Sequence, residues 1–96
     1  MINAKQEFLE ATTDSDVIAA IVKYRGKTFL LRENYTLEQL NRFLDNLDFS
    51  YDNGYGGQEL FGTVWLKNGK WLDRDEYDGS EWWEMRKMPA IPLVLL

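Results

Sequence analysis

A chain of 96 residues with neither cysteine nor histidine must hold its fold together without disulfides and without a Cys/His zinc site. A domain this short buries only about 60–65 % of the surface its unfolded chain exposes, so its core must be rich in large side chains or supported by a partner. The composition meets that demand. Hydrophobic residues make up 45 % of the chain and aromatics 15 %, including four Trp, five Tyr and five Phe, which is too apolar for a disordered segment. One globular domain over residues 1–88 is expected, followed by a Pro-containing apolar tail over 89–96.

The pattern along the chain predicts an α+β fold in the order αββαβββ. Asn3-Ala-Lys-Gln6 fits a capping box that opens a helix over 4–12, with Phe8, Leu9, Ala4 and Ala11 facing inward. Val17–Tyr24 is β-branched and apolar on both faces and reads as a central strand; after a Gly26-Lys27 turn, residues 28–32 return as its hairpin partner. Thr36-Leu-Glu-Gln39 is a second capping box. Leu37, Leu40, Phe43, Leu44 and Leu47 then recur at helical spacing, which predicts a helix over 36–47.

Beyond the Gly-rich stretch 51–59 come three strands. Leu60–Leu66 puts Phe61, Thr63 and Trp65 on one face and Leu60, Gly62, Val64 and Leu66 on the other. Asn68-Gly69 is a hairpin signal, 70–75 the next strand, 77–80 a turn and 81–87 the last strand. Without βαβ repetition, a mostly antiparallel sheet packed against one or two helices is the expected architecture. The tail, Met88-Pro-Ala-Ile-Pro-Leu-Val-Leu-Leu96, cannot form a helix across its two prolines. It reads as a cover for the core or sheet edge, or as a docking or self-association segment.

Charge is the clearest asymmetry. From 73 to 84 there are six acids, Asp73, Asp75, Glu76, Asp78, Glu81 and Glu84, against the single Arg74, an excess equal to the whole chain's net charge of −5. That balance disfavours direct nucleic-acid binding, which needs a basic footprint. It suits either a solvated hairpin or a surface offered to a basic protein. Aromatic residues interleave with the acids at Trp65, Trp71, Tyr77, Trp82 and Trp83, and one of the adjacent pair Trp82 and Trp83 must face away from the core. The partner-binding residues predicted here are Trp71, Asp73, Asp75, Glu76, Tyr77, Asp78, Glu81, Trp82 and Trp83, with Tyr55 on the Gly-rich loop.

Catalysis and cofactors find little support. The loop 52–58 has glycines but no following Lys, and it precedes a strand, so neither a P-loop nor a dinucleotide fingerprint is present. Serines at 15, 50 and 80 have no histidine to activate them. Asp73-x-Asp75 with Asp78 approaches calcium-loop spacing, but Tyr77 takes the fifth position and Gly79 falls one place late. No catalytic residue, metal ligand or cofactor is assigned. The start MINAKQEFLE lacks the basic and apolar regions of a signal peptide, and no apolar run approaches the roughly 20 residues that span a bilayer, so a cytoplasmic, membrane-free location is expected.

The run Gly54-Tyr-Gly-Gly-Gln-Glu-Leu-Phe-Gly-Thr-Val-Trp-Leu-Lys-Asn-Gly69, followed by Glu76-Tyr-Asp-Gly-Ser-Glu-Trp-Trp83, resembles small acidic proteins carried by bacteriophages and prophage-bearing bacteria. The resemblance covers residues 51–83 and carries no catalytic motif. It implies a non-enzymatic accessory protein, in the cytoplasm of the host cell, that binds and inhibits a host protein. A nuclease of a restriction or CRISPR system or another defence factor is the implied target, held through the acidic and aromatic hairpin. The alternatives are a structural domain that self-assembles, for instance as a homodimer through its tail and a sheet edge, and a calcium- or small-ligand-binding module.

Overall fold

The computed structural model describes residues 1–54 and 56–95. Its elements are β1 (Ile2–Asn3), α1 (Ala4–Ala11), β2 (Val17–Tyr24), β3 (Lys27–Leu31), α2 (Leu37–Asn46), β4 (Ser50–Tyr51), β5 (Leu60–Leu66), β6 (Trp71–Tyr77) and β7 (Ser80–Arg86). The fold is α+β. The expected order holds, with β1 and β4 added as a two-residue antiparallel pair, Ile2 opposite Tyr51 and Asn3 opposite Ser50. Strands of two residues carry no period that a sequence could reveal.

The other five strands form one antiparallel sheet in the order β3-β2-β5-β6-β7. Turn chemistry sets its registers. Arg25 (φ 47°) with Gly26 (φ 79°), and Asp78 (φ 51°) with Gly79 (φ 87°), both adopt the left-handed conformations of a two-residue type I′ turn. Tyr24 therefore faces Lys27, and Tyr77 faces Ser80. The Asn68-Gly69 signal closes a longer loop than a two-residue turn. The Leu66 amide donates to the Lys70 carbonyl and the Gly69 amide to the Leu66 carbonyl, with Gly69 at φ 83°.

Both helices begin at the predicted caps. Thr36 and Gln39 make the full reciprocal capping box, at 3.1 Å and 2.9 Å. At α1 the Asn3 side chain accepts from the Gln6 amide and also donates to Asp48, which ties the helix start to the segment after α2. Ala4 and Phe8 of α1 and Phe43 of α2, with Leu47 just beyond it, meet Ala20, Val22, Leu31, Leu60, Val64, Leu66 and Leu72 of one sheet face in a single core. Phe8 sits edge-on to Phe43 at 5.4 Å and to Trp83 at 6.2 Å. Leu9 and Leu37, expected inside, are exposed: Leu9 lies off the Ala4–Phe8 stripe, and Leu37 sits on the α2 stripe but at the helix's first residue, away from the buried Phe43 and Leu47 at its far end. The tail is exposed as well: Ile91, Leu93, Val94 and Leu95 touch solvent, and the last three form a single 3₁₀ turn.

Candidate functional site

Cross-strand register sorts every residue of the sheet onto one of two faces. The face away from the helices carries Leu30 of β3; Ala19, Ile21 and Lys23 of β2; Phe61, Thr63 and Trp65 of β5; Trp71, Asp73 and Asp75 of β6; and Trp82, Glu84 and Arg86 of β7. No helix covers it among the described residues. Leu30, Phe61 and Trp65 are 49 %, 48 % and 47 % exposed. Half-exposed large apolar side chains set among polar ones on an uncovered sheet face mark a candidate interaction surface.

The polar groups on this face hold its aromatic ones. The Trp71 Nε1 donates to Asp73 (3.2 Å) and the Trp82 Nε1 to Glu84 (2.8 Å), each along the two-residue period of its own strand. Asp73 also accepts from Thr63 (2.9 Å) across the sheet and from the Arg86 Nε (3.1 Å), and Asp75 accepts from the Arg86 Nη2 (3.3 Å). Indole rings fixed in this way lose less freedom when a partner covers them. Arg86 thus pairs with both Asp73 and Asp75, and no group of three His, Cys, Asp or Glu side chains that could hold a metal ion is found among the described residues.

Trp71, Asp73, Asp75 and Trp82 thus lie together on the uncovered face. Glu76, Tyr77 and Asp78 lie at the exposed β6–β7 turn. Glu81 and the partly buried Trp83 lie on the opposite, helix side of the sheet. Glu81 is 2 % exposed and Trp83 packs against Phe8, because the strand period sends both to the helix side. Of the adjacent pair, Trp82 is the outward residue. Tyr55 falls outside the described residues. Trp65 and Phe61, absent from the predicted site, are half-exposed aromatics of this face; their alternation with Leu60, Val64 and Leu66 is the signal that could have found them.

Glu81 belongs to a buried ionic cluster under the core face. Arg74, with a side chain 1 % exposed, donates to Glu7 (3.0 Å), Glu81 (2.7 Å), the Tyr51 hydroxyl (2.8 Å) and the Leu60 carbonyl (3.3 Å). Its guanidinium lies 5.0 Å from the Trp83 ring centre and 5.9 Å from that of Tyr51. Glu81 in turn accepts the Glu59 and Leu60 amides at 2.6 Å and 2.9 Å. Paired residues of β5 and β6 run only from Thr63 to Trp65 against Trp71 to Asp73, so these side chains replace the ladder where β5 parts from β6. The Gly-rich loop is anchored to the same corner: Asn53 accepts the Glu81 amide at 2.8 Å, and Gly56 lies against Gly79. Every charge here has an internal partner, so the cluster is structural.

Tyr51 donates its hydroxyl hydrogen to Glu7. Burial, reinforced by that bond, raises its pKa far above the usual phenol range, against the opposing pull of Arg74. A folded-state pKa above the unfolded value of about 10 means the contribution is complete below that pH and lost as pH rises further. Urea unfolding should therefore show stability falling above about pH 10, with this residue adding up to roughly 1.4 kcal/mol per pH unit. Tyr51→Phe should fall less steeply; identical slopes in the two proteins would contradict the assignment.

Comparison with models of known families, with curated proteins and with solved structures returned no match. No helix among the described residues is long and apolar enough to cross a membrane.

Proposed function

We propose that this protein is a non-enzymatic binding module that docks a protein partner on the uncovered face of its sheet. The observation that carries the reading is the set of aromatic side chains on that face, half-exposed Phe61 and Trp65 on β5, Trp71 opposite Trp65, and Trp82 on β7, with the last two indoles oriented by Asp73 and Glu84. Aromatic anchors set among polar groups are the usual composition of an interface hot spot. Asp73, Asp75 and Glu84 outnumber Arg86 on this half of the face, which favours a partner whose apolar patch is bordered by basic residues. The resemblance of residues 51–83 to phage-borne proteins extends the reading to a host protein, held and disabled by occupation of its surface.

The test is a pull-down from bacterial lysate with wild-type protein and with Trp65→Ala/Trp82→Ala, followed by titration of the purified partner. Both changes lie outside the core, so both proteins should melt alike. Loss of either anchor should weaken binding by about 2 kcal/mol, roughly thirty-fold. A partner that binds the double variant as tightly as the wild type would refute docking on this face.

A further inference from the structure

β2 and β6 run in the same direction, since each is antiparallel to β5. The Arg25-Gly26 and Asp78-Gly79 turns therefore project from the same end of the sheet, one on each side of β5. Their charges are opposite. Lys23, Arg25 and Lys27 are three of the chain's eleven basic residues within five positions. They wall a cleft of about 490 Å³ that also takes in Phe61, Gln58 and Glu59. Glu59 pairs with Arg25 at 3.0 Å, whereas Lys23 and Lys27 have no ion pair among the described residues, which leaves two positive charges in excess on a chain of net charge −5.

The other turn presents Glu76, Tyr77 and Asp78, all exposed, with Tyr77 77 % accessible. Neither carboxylate has an ion pair among the described residues, unlike Asp73, Asp75 and Glu81 on the same hairpin. An exposed tyrosine between two free acids matches in kind a cleft with free lysines beside a half-exposed Phe61.

We propose that the cleft receives the Glu76–Asp78 turn of a second copy of this chain, so that two copies join end to end in a twofold dimer. One symmetry axis satisfies the charges. A twofold along the sheet normal, through the end of the sheet, exchanges left and right and sets each basic turn against the partner's acidic turn, twice. A twofold lying in the sheet plane across the strands would set like against like. The contact is isologous and closes at two copies. Tyr77 covers Phe61, Glu76 and Asp78 meet Lys23 and Lys27, and both aromatic sheet faces point the same way.

Sedimentation equilibrium of the full chain tests this across a concentration series in about 0.01 M and about 1 M salt, where the screening length falls from roughly 30 to 3 Å. A dimer is expected at low salt, with its dissociation constant at least tenfold higher at high salt. Lys23→Glu/Lys27→Glu and Glu76→Lys/Asp78→Lys should each be monomeric alone and should associate when mixed one to one, since the mixture restores both contacts. Lys23→Gln/Lys27→Gln serves where a reversal impairs folding, and should also dimerise at least tenfold more weakly. A wild-type monomer at all concentrations, a reversed variant that still dimerises alone, or a mixture that stays monomeric would each overturn the proposal. Trp65→Ala/Trp82→Ala leaves these turns untouched and should dimerise as wild type, which separates this result from the fate of the aromatic face.

Discussion

Arg74→Ala should lose about 3–5 kcal/mol of stability, the cost of leaving buried carboxylates without their cation. Small domains have about 5–15 kcal/mol in total, so the variant should be close to unfolding at room temperature. The loss has three sources. Glu7 and Glu81, with side chains 11 % and 0 % exposed, would face each other across the vacated space. The Tyr51 hydroxyl and the Leu60 carbonyl would lose a donor, and the Trp83 ring would lose the cation packed over it. Arg74→Lys should recover little, because one ammonium cannot reach four acceptors that the planar guanidinium meets with Nε and both Nη atoms. Thermal and urea unfolding followed by circular dichroism measure both variants. A melting temperature within a few degrees of wild type for Arg74→Ala would mean that the cluster is solvated and contributes little.

That cluster also marks where sequence reasoning stops. The amphipathic stripe from Leu37 to Leu47 is readable because period and capping box agree, and the β2–β3, β5–β6 and β6–β7 hairpins follow from strand-like runs divided by glycine-containing turns. The acids of residues 73–84 read as one exposed surface, solvated or offered to a basic partner, because a charged residue in a strand carries no sign of the face it takes. The structure divides them three ways: Asp73, Asp75 and Glu84 outward, Glu76 and Asp78 at the turn, Glu81 inward. One cue was present. If Asp78-Gly79 forms a two-residue turn, Leu72 falls opposite Met85 and Arg74 opposite Trp83, which sends Arg74, Trp83 and Glu81 to the face of Leu72. Glu7 had no such cue, since its partner lies 67 residues away along the chain. The functional surface was half legible for the same reason. Aromatic and acidic interleaving drew attention to β6 and β7, whereas Trp65 and Phe61 become a site only when β5 is seen to lie beside them with nothing above.

Gly62→Ala should be almost as damaging as the loss of Arg74, by a purely steric route. Gly62 sits in β5 opposite Val22, at φ 154°, a conformation that side-chain-bearing residues rarely adopt. A Cβ placed there would lie 2.2 Å from the Ile21 carbonyl oxygen and 3.1 Å from the Val22 Cα. Both neighbours are backbone of the central strand, so relief requires β2 and β5 to separate where the core is densest, beside Val22 and Val64, which have no exposed surface. The strained conformation and the forced displacement together should cost on the order of 3 kcal/mol. For a domain of this size that lowers the melting temperature by roughly 15 °C. Gly57→Ala is the matched control: nothing lies within 4 Å of its added Cβ and its φ is not left-handed, so its stability should stay within about 1 kcal/mol of wild type. Equal melting temperatures for the two variants would show that β5 can shift away from β2 without loss. The position matters beyond stability, because β5 leaves β6 just before Thr63, and the Arg74–Glu81 pair enters that gap to satisfy the Leu60 amide and carbonyl. Gly62 thus lies between Phe61 and Thr63, where β5 keeps its register with β2 while it leaves β6.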